Sequence, residues 1–109
     1  MNEKKAIRYI SLAAKAGKLI SGAQDCAEAI KKGKGGLLIL ASDAGANTAK
    51  QAERLAEARR IDLFPTHYTK SELSAAIGRG SAVSLILVTD GGLAGAFASA
   101  HAAEQEERI

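Results

Sequence analysis

Tryptophan is absent from the chain, and rings are supplied only by Tyr9, Phe64, Tyr68 and Phe97, 4% of the sequence. Modules that read single-stranded nucleic acid by stacking bases need exposed rings on a sheet or groove, so that route of recognition is excluded. Cys26 is the one cysteine, which forbids an intramolecular disulfide and a thiolate zinc site. It fits a reducing compartment and should pack as a small apolar residue. No stretch approaches the roughly 20 apolar residues of a membrane span, and the first residues alternate charged and apolar side chains, unlike a signal peptide. A cytoplasmic location is therefore expected. Histidine is scarce too. His67 and His101 fall in different elements, outside any metal-ligand spacing, and both are expected at the surface.

What remains is an ordinary globular composition, 47% hydrophobic and 25% charged, at a length of 109 residues that accommodates one core. A single domain over residues 1–109 is expected. The net charge of +3 is unevenly spread. Residues 1–34 carry Lys4, Lys5, Arg8, Lys15, Lys18, Lys31, Lys32 and Lys34 against Glu3, Asp25 and Glu28, a balance of +5, so the remainder sums to −2. A basic first third suits an anionic partner such as RNA, or else is a solvated cationic face kept for solubility.

Residues 3–16 set Ile7, Ile10, Leu12 and Ala13 on one side at helical spacing, with Lys4, Lys5, Arg8 and Lys15 opposite and Gly17 as the stop. Leu19 and Ile20 form a very short strand. Ser21 and Gln24 have the spacing of a capping box, opening a second helix that runs to about Lys32. The apolar runs Leu37–Ala41 and Ser84–Val88 read as strands buried on both faces, hence a sheet covered by helices on each side. Between them lie a helix from Asn47 or Thr48 to about Arg60 and a short strand, Asp62–Pro65. A second capping box, Thr69 with Glu72, opens a helix ending at Gly78. A last helix spans about Leu93 to Glu107. The order αβαβαβαβα describes an α/β protein, a three-layer sandwich around a small sheet.

Catalysis finds little support. No GxSxG elbow surrounds Ser21. Gly33-Lys34-Gly35-Gly36 follows a helix and precedes a strand, the reverse of the order a nucleotide loop requires. Asp90-Gly91-Gly92 has the right order but neither a Walker lysine nor a GxGxxG spacing. No enzyme activity, cofactor, metal or small-molecule substrate is expected; an enzyme of small phosphorylated ligands would rest on these glycine turns alone.

One strand-to-helix junction combines features suited to an anionic ligand. Lys15 and Lys18 precede the first strand, Gly22 permits close backbone approach, and the next helix presents free N–H groups. Gln24 and Asp25 project from its first turn and Lys31 and Lys32 lie near its other end. Gln24 can donate and accept at base edges, and the Asp25 carboxylate can accept from exocyclic amines of guanine. Alternatively, Gln24 only completes its capping box and Asp25 only favours the helix dipole.

The stretch from Leu12 to Gly22 resembles the bacterial YlxQ-type proteins, relatives of the kink-turn-binding ribosomal-protein family of archaea and eukaryotes. So do Ala29–Lys34, Leu38–Ala44, Asn47-Thr48, Thr69–Leu73, Ala76–Gly78 and Val88–Asp90, in order and without a large insertion over nearly residues 5–100. The resemblance implies a four-stranded mixed sheet and recognition of a kink-turn in structured RNA, ribosomal RNA among the candidates, in a setting tied to ribosomes or translation. It places the recognition stretch at Gly22, base readers at Gln24 and Asp25, a basic contact at Lys32, and a second contact at Arg79, Gly80, Ser81 and Ala82. Two positions depart from the family's pattern: Glu28 stands where a lysine is usual, and Asp25 where a glutamate is. An alternative reading of the same fold is a protein-interaction module that has lost RNA affinity, with Glu28 as its mark.

Overall fold

The two apolar runs become the central strands of one sheet. In the computed structural model, which describes residues 5–107, the chain order is α1 (Lys5–Lys15), β1 (Leu19–Ser21), α2 (Ala23–Lys31), β2 (Leu37–Leu40), α3 (Ala46–Arg59), β3 (Asp62–Pro65), α4 (Lys70–Ile77), β4 (Leu85–Val88) and α5 (Gly91–Glu107). Lys4, the expected helix start at residue 3 and the last two residues of the tail lie outside the described residues. The sheet order is β1-β4-β2-β3. Strand β4 runs antiparallel to β1 and β2, and β2 runs parallel to β3, giving the mixed four-stranded sheet of a three-layer sandwich.

Period-two alternation explains why polar residues are missing from the central strands. Leu38 pairs with Leu87 and Leu40 with Leu85, and all of these turn toward α2 and α3, where Cys26, Ile30 and Ala52 complete one core cluster. Ile39 pairs with Ile86 on the opposite face, where Ile10, Leu73 and Phe97 from α1, α4 and α5 cover it. On α1 the buried stripe is Ala6, Ile10 and Ala13, at i, i+4 and i+7. Leu12 was expected on that stripe but stands two residues past Ile10, about 200° round and so on the opposite side of the helix, and is 49% exposed.

Local signals set most element ends. Thr69 and Glu72 form the expected capping box, and Gly78 closes α4 in the left-handed region. Helix α5 begins two residues before expectation because Asp90 caps it, its Oδ1 accepting from the Leu93 N–H at 2.9 Å. Strand β2 stops at Leu40 and β4 starts at Leu85, one residue short of each expected run, although the Ala41 N–H still donates to the Ser84 carbonyl at 2.9 Å. Helix α3 starts at Ala46, just ahead of Asn47.

The expected capping box at Ser21 does not form. Ser21 belongs to β1, Gly22 is the N-cap of α2, and no side chain caps that helix. His101 is also not a surface residue. Phe97, His101 and Glu104 share one face of α5, and His101 is 3% exposed against Phe64 and Phe97. Its Nε2 accepts from the His67 backbone N–H at 3.3 Å and lies 2.9 Å from Thr66 Oγ1 and 3.0 Å from His67 Nδ1. Glu104 accepts from the Tyr68 hydroxyl at 2.7 Å and from the Ala6 N–H at 3.0 Å, tying α5 to α1 and to the segment after β3. Burial, and secondarily the charge of His67, lower the His101 pKa, against a smaller opposing effect of Glu104. Burial also raises the Tyr68 pKa, helped by the bond to Glu104.

Two outcomes follow from this packing. Gly36 has φ +146, and a Cβ there would collide with the Val88 carbonyl oxygen, whereas a Cβ at Gly35 meets nothing. Chemical denaturation of Gly36→Ala should show a loss of about 2 kcal/mol, with Gly35→Ala close to neutral. For His101, protonation is penalised in the folded state, so the unfolded chain binds the extra proton first as pH falls past the ordinary value of 6.5. Melting temperature should therefore drop between about pH 7 and about pH 5, and His101→Gln should flatten that drop.

Candidate nucleic-acid interface

Two ends of the sheet can be followed from the connectivity. Ser21 at the end of β1 pairs with Ile86 near the start of β4, and Leu40 at the end of β2 pairs with Leu85 and with Pro65. Helices α2 and α3 both begin at this end. Their C-termini, that of α1, and the starts of β1, β2 and β3 lie at the other.

At the first end the chain leaves β1 through Gly22, whose φ of +100 excludes an ordinary side chain. Space is not the reason, since a Cβ there would approach only Arg79 Nη1, at 3.8 Å. The Gly22 N–H donates to the Leu85 carbonyl and its own carbonyl accepts from the Cys26 N–H, both at 2.9 Å. Helix α2 thus starts abruptly, and its first N–H groups point outward without a side-chain cap, carrying the positive end of the dipole. Gln24 and Asp25 are exposed beside them. Cys26 points inward, its S–H donating to the Ile20 carbonyl at 3.4 Å, and burial pushes its pKa up to about 12.

Arg79 follows α4, and its Nη1 donates to Ser21 Oγ at 2.8 Å across a sequence separation of 58. That bond sets the exposed segment Arg79–Ala82 beside Gly22, with buried Val83 anchoring its far side. Two stretches singled out separately in the sequence are thus linked through one side chain, the Arg79 guanidinium reaching Ser21 and the Gly22 turn. Ser21 was misread as a cap, and its true part is to hold Arg79. No local pattern shows this, because the partner lies in another element. Beside the first turn of α2 a groove of about 420 Å³ opens toward α3, with Ala23, Ala27, Ala52, Leu55 and Leu85 as its floor and Lys31 and Arg54 among its lining.

The lysines are placed differently. Lys18 lies at the start of β1, roughly 13 Å from Gly22 at the rise of a strand. Its carbonyl accepts from the Thr89 N–H at 2.9 Å, just past the end of β4. Lys15 ends α1 at the same side. Lys32 caps the far end of α2, about 12 Å along the helix from Gln24. Lys15, Lys18 and Lys32 are exposed, but they are not brought together with the Gly22 turn. Between the two groups runs a groove of about 570 Å³ along α2, lined by Ile20, Asp25, Glu28, Ala29, Lys32 and Lys34.

Among the described residues, no group of three or more His, Cys, Asp or Glu side chains is arranged to hold a metal ion. No helix there is long and apolar enough to cross a membrane.

The profile of the ribosomal protein L7Ae/L30e/S12e/Gadd45 family matches residues 4–97. The chain is similar to a solved protein of unknown function from Bacillus halodurans C, with TM-score 0.81 and 30% identity, over 89% of this chain and 96% of that one. It also shares the fold of the Giardia lamblia 15.5kD RNA binding protein, with TM-score 0.75 and 16% identity, over 97% of this chain and 92% of that one. No curated protein matches the sequence.

Proposed function

The chain belongs to the ribosomal protein L7Ae/L30e/S12e/Gadd45 family, and on that premise we propose that it is a non-catalytic RNA-binding protein recognising a kink-turn in a structured RNA. In this reading it is a bacterial member of the YlxQ type, a single domain over residues 1–109, working in the cytoplasm on ribosomal or translation-associated RNA. The observation that carries the proposal is the bond from Arg79 to Ser21, which brings the Arg79 guanidinium to the Gly22 turn at the uncapped start of α2.

The chemistry at that junction suits bent RNA better than a straight duplex. In A-form RNA the major groove is too narrow for side chains, and a sharp kink opens it. The first N–H groups of α2 then take phosphate oxygens, aided by the dipole. Gln24 and Asp25 read base edges, with the Asp25 carboxylate accepting from guanine amines. Gly22 and the segment Arg79–Ala82 supply close main-chain approach. The neighbouring groove, apolar at its floor with cationic side chains alongside, suits a base turned out of the stack. Lys15, Lys18 and Lys32 contact backbone further along the same RNA, since a separation of about 12 Å is only a few phosphates of one strand. The RNA binding of the Giardia lamblia protein that shares the fold supports the same partner class. Two side chains of catalytic types are otherwise engaged: Asp90 caps α5, and Cys26 is buried with a raised pKa.

Titration at matched magnesium and salt tests the proposal. A kink-turn RNA should bind more tightly than an unbent duplex of the same length, and equal affinities would overturn it. Gln24→Ala should reduce that preference about tenfold or more, the worth of one good base contact. Lys18→Ala should lower the slope of log affinity against log salt by about one, leaving the preference in place.

A further inference from the structure

We propose that the opposite end of the sheet is a second RNA-backbone contact, seated on the loop Gly33-Lys34-Gly35-Gly36 and rimmed by Arg59 and Arg60, so that one molecule holds two separate RNA segments. The proposal rests on the reading that the partner is RNA, and it adds a site that the kink-turn junction does not include.

A groove of about 400 Å³ opens here, lined by the four loop residues, Arg59, Arg60 and Asp62 along with Ile30 and Ile61. The loop leaves two backbone donors without a backbone partner. Gly33 and Lys34 give their N–H groups to the Ile30 and Ala29 carbonyls, but the N–H groups of Gly35 and Gly36 reach no backbone acceptor among the described residues. Exposed backbone donors in a glycine turn form a concave seat for a phosphate oxygen. The reversed order of this loop, helix before strand, rules out a nucleotide-binding loop but does not matter to a backbone phosphate.

Charge points the same way. Lys34, Arg59 and Arg60 are exposed around the groove, with exposed Lys31 and Lys32 closing α2 beside it. Lys15 and Lys18 continue the patch, since the Lys18 carbonyl is bonded to the Thr89 N–H and Gly36 packs on Thr89. Cations at helix C-termini offset dipoles, but three such ends amount to roughly −1.5 charges, which is far less than this patch carries. Carboxylates at this end include Asp62, Asp90, which caps α5, and exposed Glu57 in the last turn of α3, fewer than the lysines and arginines around them. Arg60 also sits in the left-handed region, at φ 57, closing α3. Glycine or asparagine takes that position more cheaply, so an arginine there is held against a backbone cost. The groove along α2, with Asp25, Glu28 and Lys32 in its lining, lies between this loop and the Gly22 turn.

The test uses two RNAs of equal length, a kink-turn with a long flanking helix and a straight duplex, and three proteins: wild type, Gln24→Ala and the double variant Lys34→Gln/Arg60→Gly. Arg60→Gly relieves the left-handed strain, and a melting curve verifies that the double variant is folded. The double variant should keep its preference for the kink-turn while its salt slope falls by about two on both RNAs. Between about 50 mM and about 200 mM salt, the wild type should then lose about tenfold more affinity than the double variant. Equal slopes for wild type and double variant overturn the second contact. Equal wild-type affinity for the two RNAs, with the slope still lowered in the double variant, overturns the kink-turn reading and leaves the second contact standing. A wild type that binds neither RNA overturns both and turns the patch toward an acidic protein.

Discussion

The antiparallel pairing of β2 with β4, buried on both faces, is the constraint from which the remaining geometry follows. Every side chain in Leu38–Leu40 and Leu85–Val88 is committed to one of two cores, so neither strand can shift without emptying both. Because β4 lies between β1 and β2, the end of β1 is held at the start of β4, and the Gly22 N–H is bonded to the Leu85 carbonyl. The candidate interface is therefore mounted on the doubly covered centre of the sheet through β4, while its ligand-facing groups are loops and a helix end. Rigid support under exposed polar groups is what pre-organised recognition requires.

The two ends of the sheet divide the electrostatic work. At the α2 start, attraction for anions comes from backbone N–H groups and the dipole, and the nearby side chains include the acids Asp25 and Glu28. Attraction there is directional and short in range, which favours discrimination over strength. At the opposite end it comes from lysines and arginines, whose field reaches further and is weakened by salt. A net charge of only +3 conceals this polarity, because acids elsewhere cancel the patch in the sum but not in space.

Strong signals contained within one element were legible from sequence, while weak ones and those spanning two elements were not. Continuous apolar runs revealed the doubly covered strands, and Thr69 with Glu72 and Gly78 fixed both ends of α4. Ser21 met every local criterion for a cap and still failed, because a tertiary partner, Arg79, takes its hydroxyl and β1 takes its backbone. His101 looked exposed because α5 is rich in small residues all round, yet Phe97, His101 and Glu104 at i, i+4 and i+7 trace the buried face. For the candidate site, Gly22, Gln24 and Asp25 were legible as a unit because they are adjacent. Adjacency in sequence also suggested grouping Lys15 and Lys18 with them, and a three-residue strand was enough to carry those lysines to the other end.

Glu104 has a consequence for how the chain assembles. Its carboxylate joins the Ala6 N–H, 98 positions away in sequence, so the α1/α5 layer closes only when nearly the whole chain has been gathered. Helices α2 and α3 meet across a much shorter loop, and β2, α3 and β3 form a crossover of neighbours. Loop closure costs more entropy the longer the loop, and contacts between distant residues slow folding. The contact between α1 and α5 therefore carries a larger loop-closure cost than the one between α2 and α3.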